Sequence, residues 1–251
     1  MTDLALLERD GVTATLTLNR PEARNALSLE LLAALHGQLD LLEGLAEADA
    51  PTVLTITGAG RAFCAGMDLK QIVGAGAPSA ALLSSLARLC WRLRHLPMVT
   101  VARVNGAAIG GGCGLSCVCD LSVTHAEAKL GFPEVDLGLC PAVVAPWVVR
   151  KCGAGRARAI LLRGGVMSGS EAHDAGLVDA LAPDAASLDE TCGGLVGRLA
   201  AGGASALRAT KSLLNQLDGS DDASLGERGA AISARIVASP EAQAALRARL
   251  G

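Results

Sequence analysis

Residues 99–114 read VTVARVNGAAIGGGCG, and this stretch decides the fold. The apolar run that contains it, 99–119, has the length of about 20 residues that a bilayer span requires. However, two polar residues and the triplet Gly110–Gly112 interrupt the run, and Asp120 closes it. We therefore interpret Val99–Val104 as a buried strand, followed by a glycine turn and by a helix that begins at Cys113.

Strands and helices alternate on both sides of this stretch. Polar and apolar residues alternate with period two near the N-terminus, as in a half-buried strand. Ser28 is a good N-cap for the leucine-rich segment that follows it. The pattern predicts strands at Thr13–Leu18 and Val53–Thr57, and helices from about Leu29 to Leu45 and from about Ala80 to Leu96. This order predicts an α/β protein with right-handed crossovers around a mostly parallel or mixed sheet.

From about Gly155 onward, helical periods dominate. The sequence Ser168-Gly-Ser-Glu171 is a capping box, in which the serine hydroxyl and the glutamate carboxylate bind each other's free amides. Ser239 and Pro240 supply an N-cap and a proline at the first helical position. The sequence therefore predicts a helical C-terminal part.

The composition excludes several classes of protein. Of the 251 residues, 51% are hydrophobic and 19% are charged, which excludes a disordered or fibrous chain. The net charge is -3, so no broad basic face is available to neutralise a nucleic-acid backbone. With no Tyr, two Phe and two Trp, the chain also lacks rings on which bases stack. We therefore expect no nucleic-acid partner.

The cysteines and the N-terminus bear on cellular location. The eight cysteines are scattered through a chain whose size needs no disulfides, so we expect reduced thiols. Met1-Thr2-Asp3 carries no basic region followed by an apolar block, so we expect a cytoplasmic protein without secretion or membrane insertion. Cys113, Cys117 and Cys119 have no matching second ligand pair, so we expect no metal site.

Glycine turns follow two of the predicted strands. The segment Gly58–Lys70 (GAGRAFCAGMDLK) follows Val53–Thr57, and Asn105–Gly114 follows Val99–Val104. Such turns leave backbone N–H groups free to bind an anionic oxygen. For either turn alone, tight backbone packing is the alternative interpretation.

The segment Gly131-Phe-Pro-Glu134-Val places a carboxylate in a mostly apolar neighbourhood. Such surroundings raise the pKa of a carboxyl group toward that of a working general base. A capping or ion-paired glutamate is the alternative. We interpret Asp68 as a turn-former that bonds its own following amides, and Asp120 as a capping or pairing residue. Asp136 offers a second carboxylate, although a loop or ion-pair role is the simpler interpretation.

Five segments resemble, in order and in spacing, the signature blocks of the crotonase, or enoyl-CoA hydratase/isomerase, superfamily. They are Arg20–Ser28 (RPEARNALS), Arg61–Lys70 (RAFCAGMDLK), Asn105–Cys113, Gly131–Gly138 and Gly169–Val178 (GSEAHDAGLV). The blocks extend over essentially the whole chain. The resemblance implies an α/β spiral of ββα units over 1–195 and a C-terminal helical region over 196–251 that packs across a trimer interface. It also implies a homotrimer or a hexamer built as a dimer of trimers.

The same resemblance implies a site for an acyl-CoA thioester. Matched residue by residue, the two backbone donors to the thioester oxygen would be Met67 and Gly111, and the acid/base would be Glu134. The pantetheine and nucleotide would lie along five residues: Arg24, Ala26, Ala65, Asp68 and Lys70. No cofactor is implied, since coenzyme A is part of the substrate.

The sequence departs from the family pattern at one position. A typical two-glutamate hydratase carries its first glutamate two residues after the glycine triplet, where this chain has Gly114. The sequence is similar to a one-glutamate branch of methylglutaconyl-CoA hydratases, so we expect hydration of a 2-enoyl-CoA that is branched or carries a second carboxylate. A Δ3,Δ2-enoyl-CoA isomerase that uses Glu134 alone is the alternative.

Two further alternatives belong to other classes of protein. A non-catalytic acyl-CoA-binding protein would explain the missing carboxylate as lost chemistry. A serine hydrolase would need a nucleophilic serine beside a histidine base, but Ser116 lies inside a predicted helix without a nucleophile elbow.

Overall fold

The computed structural model describes residues 3–74 and 77–250. Met1 and Thr2, on which the expected absence of a leader partly rests, lie outside the described residues. The strands are β1 (Ala5–Asp10), β2 (Thr13–Leu18), β3 (Val53–Gly58), β4 (Ala62–Cys64), β5 (Val99–Val104), β6 (Ala107–Ile109), β7 (Leu121–His125), β8 (Lys129–Gly131), β9 (Val166–Ser168) and β10 (Ala180–Ala182). The helices are α1 (Leu29–Glu43), α2 (Leu69–Ile72), α3 (Ala77–His95), α4 (Gly111–Val118), α5 (Ala145–Arg163), α6 (Gly169–Asp174), α7 (Leu188–Ala200), α8 (Ala204–Leu217), α9 (Ser224–Val237) and α10 (Pro240–Leu250).

Two sheets form the core of the described chain. The larger has the strand order β1-β2-β3-β5-β7-β10, and the smaller has the order β4-β6-β8-β9. In three successive strand pairs, β3/β4, β5/β6 and β7/β8, the first strand joins the larger sheet and the second joins the smaller one. Neighbouring pairs run parallel in both sheets. This repetition is the predicted spiral of ββα units.

Leucines at helical spacing explain where α1 lies. Its buried residues are Leu31, Leu32, Leu35, Leu39 and Leu42, which together form one apolar face. The helix begins after Ser28, whose hydroxyl accepts a hydrogen bond from the Leu31 amide at 3.2 Å. The predicted N-cap is therefore confirmed. The predicted capping box at Ser168 and Glu171 is also present, at the start of α6.

Some element boundaries differ from the sequence-based expectation. The helix after the glycine turn begins at Gly111, two residues before the predicted Cys113, because the glycines themselves form its first turn. The third helix begins at Ala77 rather than Ala80. The three-residue strands β9 and β10 were not predicted, since so short a segment shows no clear period. The expected boundary between residues 195 and 196 falls inside α7.

An ion-pair cluster attaches α8 to the sheet. The buried Lys211 ammonium lies 2.8 Å from the Asp120 carboxylate and donates to the Met98 carbonyl at 2.9 Å. Asp120 also accepts from the amide and the hydroxyl of Thr100, at 2.7 and 2.9 Å. Asp120 thus has the pairing role predicted for it. Among the described helices, none combines the length and the apolarity needed to cross a membrane.

Candidate active site

Asn105 holds the two glycine turns together. Its side-chain amide donates to the carbonyls of Gly58 and Gly60, at 2.9 and 3.0 Å, and its side-chain oxygen accepts from the Gly58 amide at 3.2 Å. The parallel pairing of β3 with β5 brings the carboxyl ends of both strands to the same edge of the sheet. Both turns therefore lie side by side.

The two turns touch through their glycines. A Cβ atom on Gly66 would stand 2.7 Å from the Ile109 carbonyl oxygen, and one on Gly112 would stand 2.2 Å from the Cys64 carbonyl oxygen. Any side chain at these positions would separate the turns. Gly66 also has a φ of +90°, which L side chains rarely adopt. The glycines therefore do pack the two backbones tightly, as one interpretation of the turns predicted. This packing does not exclude the other interpretation, an anion site at the same turns.

Met67 and Gly111 line the same cavity beside the turns, and their backbone amides are free within the described chain. Leu27 bonds both neighbours of Met67, accepting from the Asp68 amide at 2.9 Å and donating to the Gly66 carbonyl at 2.8 Å. In such a parallel bridge, the amide of the intervening residue points the other way. Gly111 is the first residue of α4, where N–H groups have no acceptor within the helix. Neither amide has a hydrogen-bond acceptor among residues 3–74 and 77–250.

Glu134 lies beside these amides. Gly110 makes room for its carboxylate, since a Cβ atom there would stand 2.8 Å from Oε1 of Glu134. The Oε2 atom is buried and has no hydrogen-bond partner within the described chain. Burial, together with the nearby Asp136 carboxylate, raises the pKa of Glu134 to about 7. Glu134 precedes the short 3-10 helix Val135–Leu137, but within the described chain its side chain makes no capping hydrogen bond and no ion pair. It can exchange a proton near neutral pH.

Two adjoining cavities meet at this point. An inner cavity and an outer cavity of about 440 Å³ share Met67, Gly111, Glu134 and Leu139 as lining residues. A carbonyl oxygen placed at the junction would be within reach of two amides and the positive end of a helix. The carboxylate would then face the carbon next to that carbonyl. The arrangement suits proton transfer at a carbon made acidic by a polarised carbonyl.

The five predicted coenzyme A residues do not all line the outer cavity. Arg24 and Ala65 line it, whereas Ala26, Asp68 and Lys70 do not. The Asp68 carboxylate accepts from the Lys70 amide at 3.1 Å, as expected of a turn-former, and pairs with Arg20 at 2.8 Å.

Sequence reasoning missed several lining residues. Arg249 on α10 lines the outer cavity, and Val144, Ser233 and Val237 line the inner one. The i, i+4 spacing of Gly229, Ser233 and Val237 on α9 is a signal of one buried face that could have indicated this helix.

Other candidate residues have structural roles in this arrangement. Asp136 accepts a hydrogen bond from the Gly165 amide at 2.8 Å, as the loop interpretation predicts. The Ser116 hydroxyl is fully buried and donates to the Cys113 carbonyl at 2.7 Å, so it is not available as a nucleophile. Within the described residues, no cluster of three or more His, Cys, Asp and Glu side chains is placed to hold a metal ion.

Val144 occupies the space where a side chain at position 114 would lie. A Cβ atom on Gly114 would stand 2.1 Å from Cγ1 of Val144 and 2.6 Å from its Cβ. Both residues are buried between α4 and the start of α5. Gly114 therefore does not leave a vacant carboxylate position, because a valine fills it.

Comparison with known proteins agrees with this geometry. A family model described as enoyl-CoA hydratase/isomerase matches residues 8–244. The chain belongs to the enoyl-CoA hydratase/isomerase family. It is 40% identical over 213 residues to a putative enoyl-CoA hydratase of Thermus thermophilus, covering 83% of each chain. It is 35% identical over 213 residues to the 2,3-dehydroadipyl-CoA hydratase of Escherichia coli, covering 84% of this chain and 81% of that protein.

The fold of this enoyl-CoA hydratase/isomerase also matches solved structures. An enoyl-CoA hydratase structure from Mycobacterium avium subsp. paratuberculosis superposes with a TM-score of 0.88 at 23% identity, covering 98% of this chain and 99% of that chain. The family membership, the crotonase fold and the enzyme class expected from the sequence are thus confirmed. The one-glutamate branch and the individual residue roles stay predictions.

A first prediction concerns the contact between Gly114 and Val144. We expect Gly114→Ala to destabilise the protein by about 1–3 kcal/mol, because the added methyl group overlaps a buried valine. Val144→Ala removes Cγ1, the atom that overlaps most, and keeps the Cβ atom at 2.6 Å. It relieves part of the overlap, so the double variant should be more stable than the sum of the single changes predicts. Urea unfolding of the three variants measures this coupling. Strictly additive free energies of unfolding would contradict the contact.

A second prediction uses the raised pKa of Glu134. The folded state binds this proton more tightly than the unfolded state, so the stability that it contributes is lost as pH rises from about 4.5 to about 7. Glu134→Gln lacks this titration. We expect the variant to gain on the order of 3 kcal/mol over wild type above pH 7 and nothing below pH 4, since each unit of pKa difference corresponds to about 1.4 kcal/mol.

Urea unfolding across this pH range measures the difference. Glu127→Gln is the matched control, since Glu127 is exposed. The prediction is wrong when the Glu134→Gln difference is the same at pH 4 and pH 8.

Proposed function

We propose that this enzyme adds water to the double bond of a 2-enoyl-CoA, with Glu134 as its acid/base. One observation carries the proposal: Oε2 of Glu134 is buried without a hydrogen-bond partner in the described chain, and it lies beside two backbone amides that have no acceptor there. The names of the Thermus thermophilus and Escherichia coli relatives, both hydratases, support water addition as the reaction.

The amides of Met67 and Gly111 would hold the thioester oxygen. Attack at C3 moves electrons through the double bond onto this oxygen, so negative charge develops there in the transition state. Donors that are fixed beforehand stabilise this charge more than they stabilise the neutral carbonyl of the substrate. The N-terminus of α4 adds its positive end in the same direction.

A single carboxyl group suffices for the proton transfers of hydration. Glu134 accepts a proton from water as the water oxygen bonds to C3, and the enolate then takes this proton back at C2. The group must therefore act once as a base and once as an acid. A carboxyl group whose pKa lies at about 7 does both at neutral pH without a large energy difference.

The outer cavity would hold the coenzyme A part of the substrate. Its larger volume suits the long pantetheine arm, and its lining includes Arg24 and Arg249. Guanidinium groups bind phosphates well, since their N–H groups match phosphate oxygens. These two residues are the proposed phosphate contacts, and Lys70 is exposed outside the lining.

Isomerisation of a 3-enoyl-CoA is the second candidate reaction. It needs one base, which removes a proton at C2 and returns it at C4. The observation in its favour is Val144, which fills the position of a second carboxylate at residue 114. Both reactions use the same oxyanion site and the same glutamate, so only the substrate that is converted distinguishes them.

A third prediction tests Glu134 as the base. We expect Glu134→Gln to keep the fold and the affinity for an acyl-CoA, but to slow proton exchange at the substrate α-carbon at least 100-fold, since an amide cannot accept the proton. In wild type, exchange should increase as pH rises through about 7, because the carboxylate is the active form. Deuterium incorporation into butyryl-CoA, followed by mass spectrometry, measures both effects.

Turnover assays with crotonyl-CoA and a 3-enoyl-CoA then separate the functions. Water added to crotonyl-CoA supports the hydratase, and bond migration in the 3-enoyl-CoA without hydration supports the isomerase. Binding of both thioesters without conversion would leave the non-catalytic acyl-CoA-binding protein. Wild-type exchange rates in Glu134→Gln would exclude this residue as the base.

A fourth prediction tests the amide of Gly111. Gly111→Pro removes the N–H group at the first position of α4, which a helix tolerates. We expect kcat to fall about 100- to 1000-fold, with little change in affinity for coenzyme A. Gly111→Ala is the matched control, because it keeps the N–H group.

The alanine control introduces the Cβ contacts that the proline ring also makes. A Cβ atom at residue 111 would stand 3.2 Å from the methyl groups of both Leu27 and Leu86. The kcat of Gly111→Ala therefore measures how much of the loss in Gly111→Pro comes from these Cβ contacts. Equal losses of kcat in the two variants would contradict a role for the amide.

A further inference from the structure

The inner cavity is small and apolar. Its volume is about 20 Å³, whereas the outer cavity measures about 440 Å³. A cavity of 10–15 Å³ by this measure holds about one water molecule, so the inner cavity admits a group of about methyl size. Its walls include Leu83, Leu86, Val143, Val144 and Val237.

The arrangement of charges indicates which end of the substrate enters this cavity. Arg24 and Arg249 line the outer cavity and suit the phosphates of coenzyme A. The thioester lies at the junction, where Met67, Gly111 and Glu134 line both cavities. The inner cavity therefore receives the part of the acyl chain beyond C3.

Close backbone packing closes the inner cavity on the side of α9. A Cβ atom on Gly229 would stand 2.5 Å from the Ala142 carbonyl oxygen, so α9 lies directly against the 140–143 segment. The buried Ser233 hydroxyl donates to the Cys140 carbonyl at 2.8 Å. The cavity cannot lengthen in this direction unless α9 separates from that segment and these contacts break.

The lining of the inner cavity contains no cationic side chain among the described residues. Its one ionisable carboxyl group is Glu134, which would repel a second carboxylate. A surface groove of about 890 Å³ shares Leu139, Cys140 and Pro141 with the inner cavity, and its lining includes two arginines. Both are already paired: Arg150 donates to the Gly219 carbonyl at 2.6 Å, and Arg228 pairs with Asp222 at 3.1 Å. A carboxylate at the far end of the acyl chain would be buried without a partner, which is costly.

We infer that this enzyme selects short, uncharged 2-enoyl groups of about four carbons, and that Val237 closes the acyl site. The inference rests on the proposed function and names its substrate class. The inferred substrate carries no second charge, unlike the carboxylated substrate expected from the sequence. It also differs from 2,3-dehydroadipyl-CoA, the substrate in the name of the Escherichia coli relative. A hydrophobic pocket discriminates about 10- to 200-fold for each methylene that does not fit.

Binding and turnover are measured separately, so that the inference and the proposed function can fail separately. We expect kcat/KM for crotonyl-CoA to exceed that for hex-2-enoyl-CoA at least tenfold, and 3-methylglutaconyl-CoA to be converted still more slowly. In calorimetry, hexanoyl-CoA should bind no tighter than butyryl-CoA. An open apolar site would instead give about a 15-fold gain for two methylenes, from about 0.8 kcal/mol for each.

Val237→Ala tests the closing residue. We expect the ratio of kcat/KM for hex-2-enoyl-CoA to that for crotonyl-CoA to rise about tenfold, because the cavity gains the space of the lost methyl groups. Val178→Ala is the matched control, since Val178 has the same 2% exposure as Val237 and does not line the cavity. This control should leave the ratio unchanged. Leu83→Ala, which opens another wall, replaces Val237→Ala if that variant does not fold.

Three outcomes would overturn the inference. They are equal or faster conversion of hex-2-enoyl-CoA by wild type, conversion of 3-methylglutaconyl-CoA as fast as that of crotonyl-CoA, and an unchanged ratio in the opened variants. Turnover of crotonyl-CoA together with any of them leaves the proposed function intact. Conversely, binding that favours butyryl-CoA without turnover of any thioester supports the size limit and refutes the proposed function.

Discussion

The contact between the two glycine turns is the constraint on which the site depends. A Cβ atom at Gly66 would stand 2.7 Å from the Ile109 carbonyl oxygen, so any side chain there would force the two backbones apart. This contact brings the amide of Met67 beside that of Gly111, although the two belong to different ββα units. Oriented main-chain donors need no reorganisation when charge develops, which is the main advantage of such a site. Asn105 maintains the contact through hydrogen bonds across both turns.

The burial that places the pKa of Glu134 near neutral pH also makes its ionised form costly. Removing the carboxylate from water raises its pKa to about 7, and no hydrogen-bond donor of the described chain compensates Oε2. A cationic partner would stabilise the protein, but it would also lower the pKa and weaken the group as a base. Gly110 lets the carboxylate approach the turn without such a partner. The same lack of a partner that destabilises the ionised carboxylate thus keeps its pKa in the range that a general base needs.

Local signals in the sequence predicted much of the fold and the centre of the site. The roles of Ser28, the glycine triplet and Glu134 depend mainly on residues adjacent in sequence. Short sequence patterns therefore predict the helix cap, the tight turn and the carboxylate in an apolar neighbourhood. The remaining lining residues depend on packing between distant segments. Ser233 and Cys140 are 93 positions apart, and nothing near either residue indicates their hydrogen bond. Likewise, Arg249 reaches the outer cavity only because α10 packs over the site, which no local period encodes.

Val144 connects the missing carboxylate to the size of the acyl site. The same side chain fills the space beside Gly114 and lines the inner cavity. A glutamate at residue 114 would need a smaller residue at 144, and that change would also enlarge the inner cavity. The number of carboxylates and the length of acyl chain that fits are therefore not independent in this fold. Gly114 is better understood as one half of a packed pair than as the trace of a lost catalytic residue, because its partner is already in place.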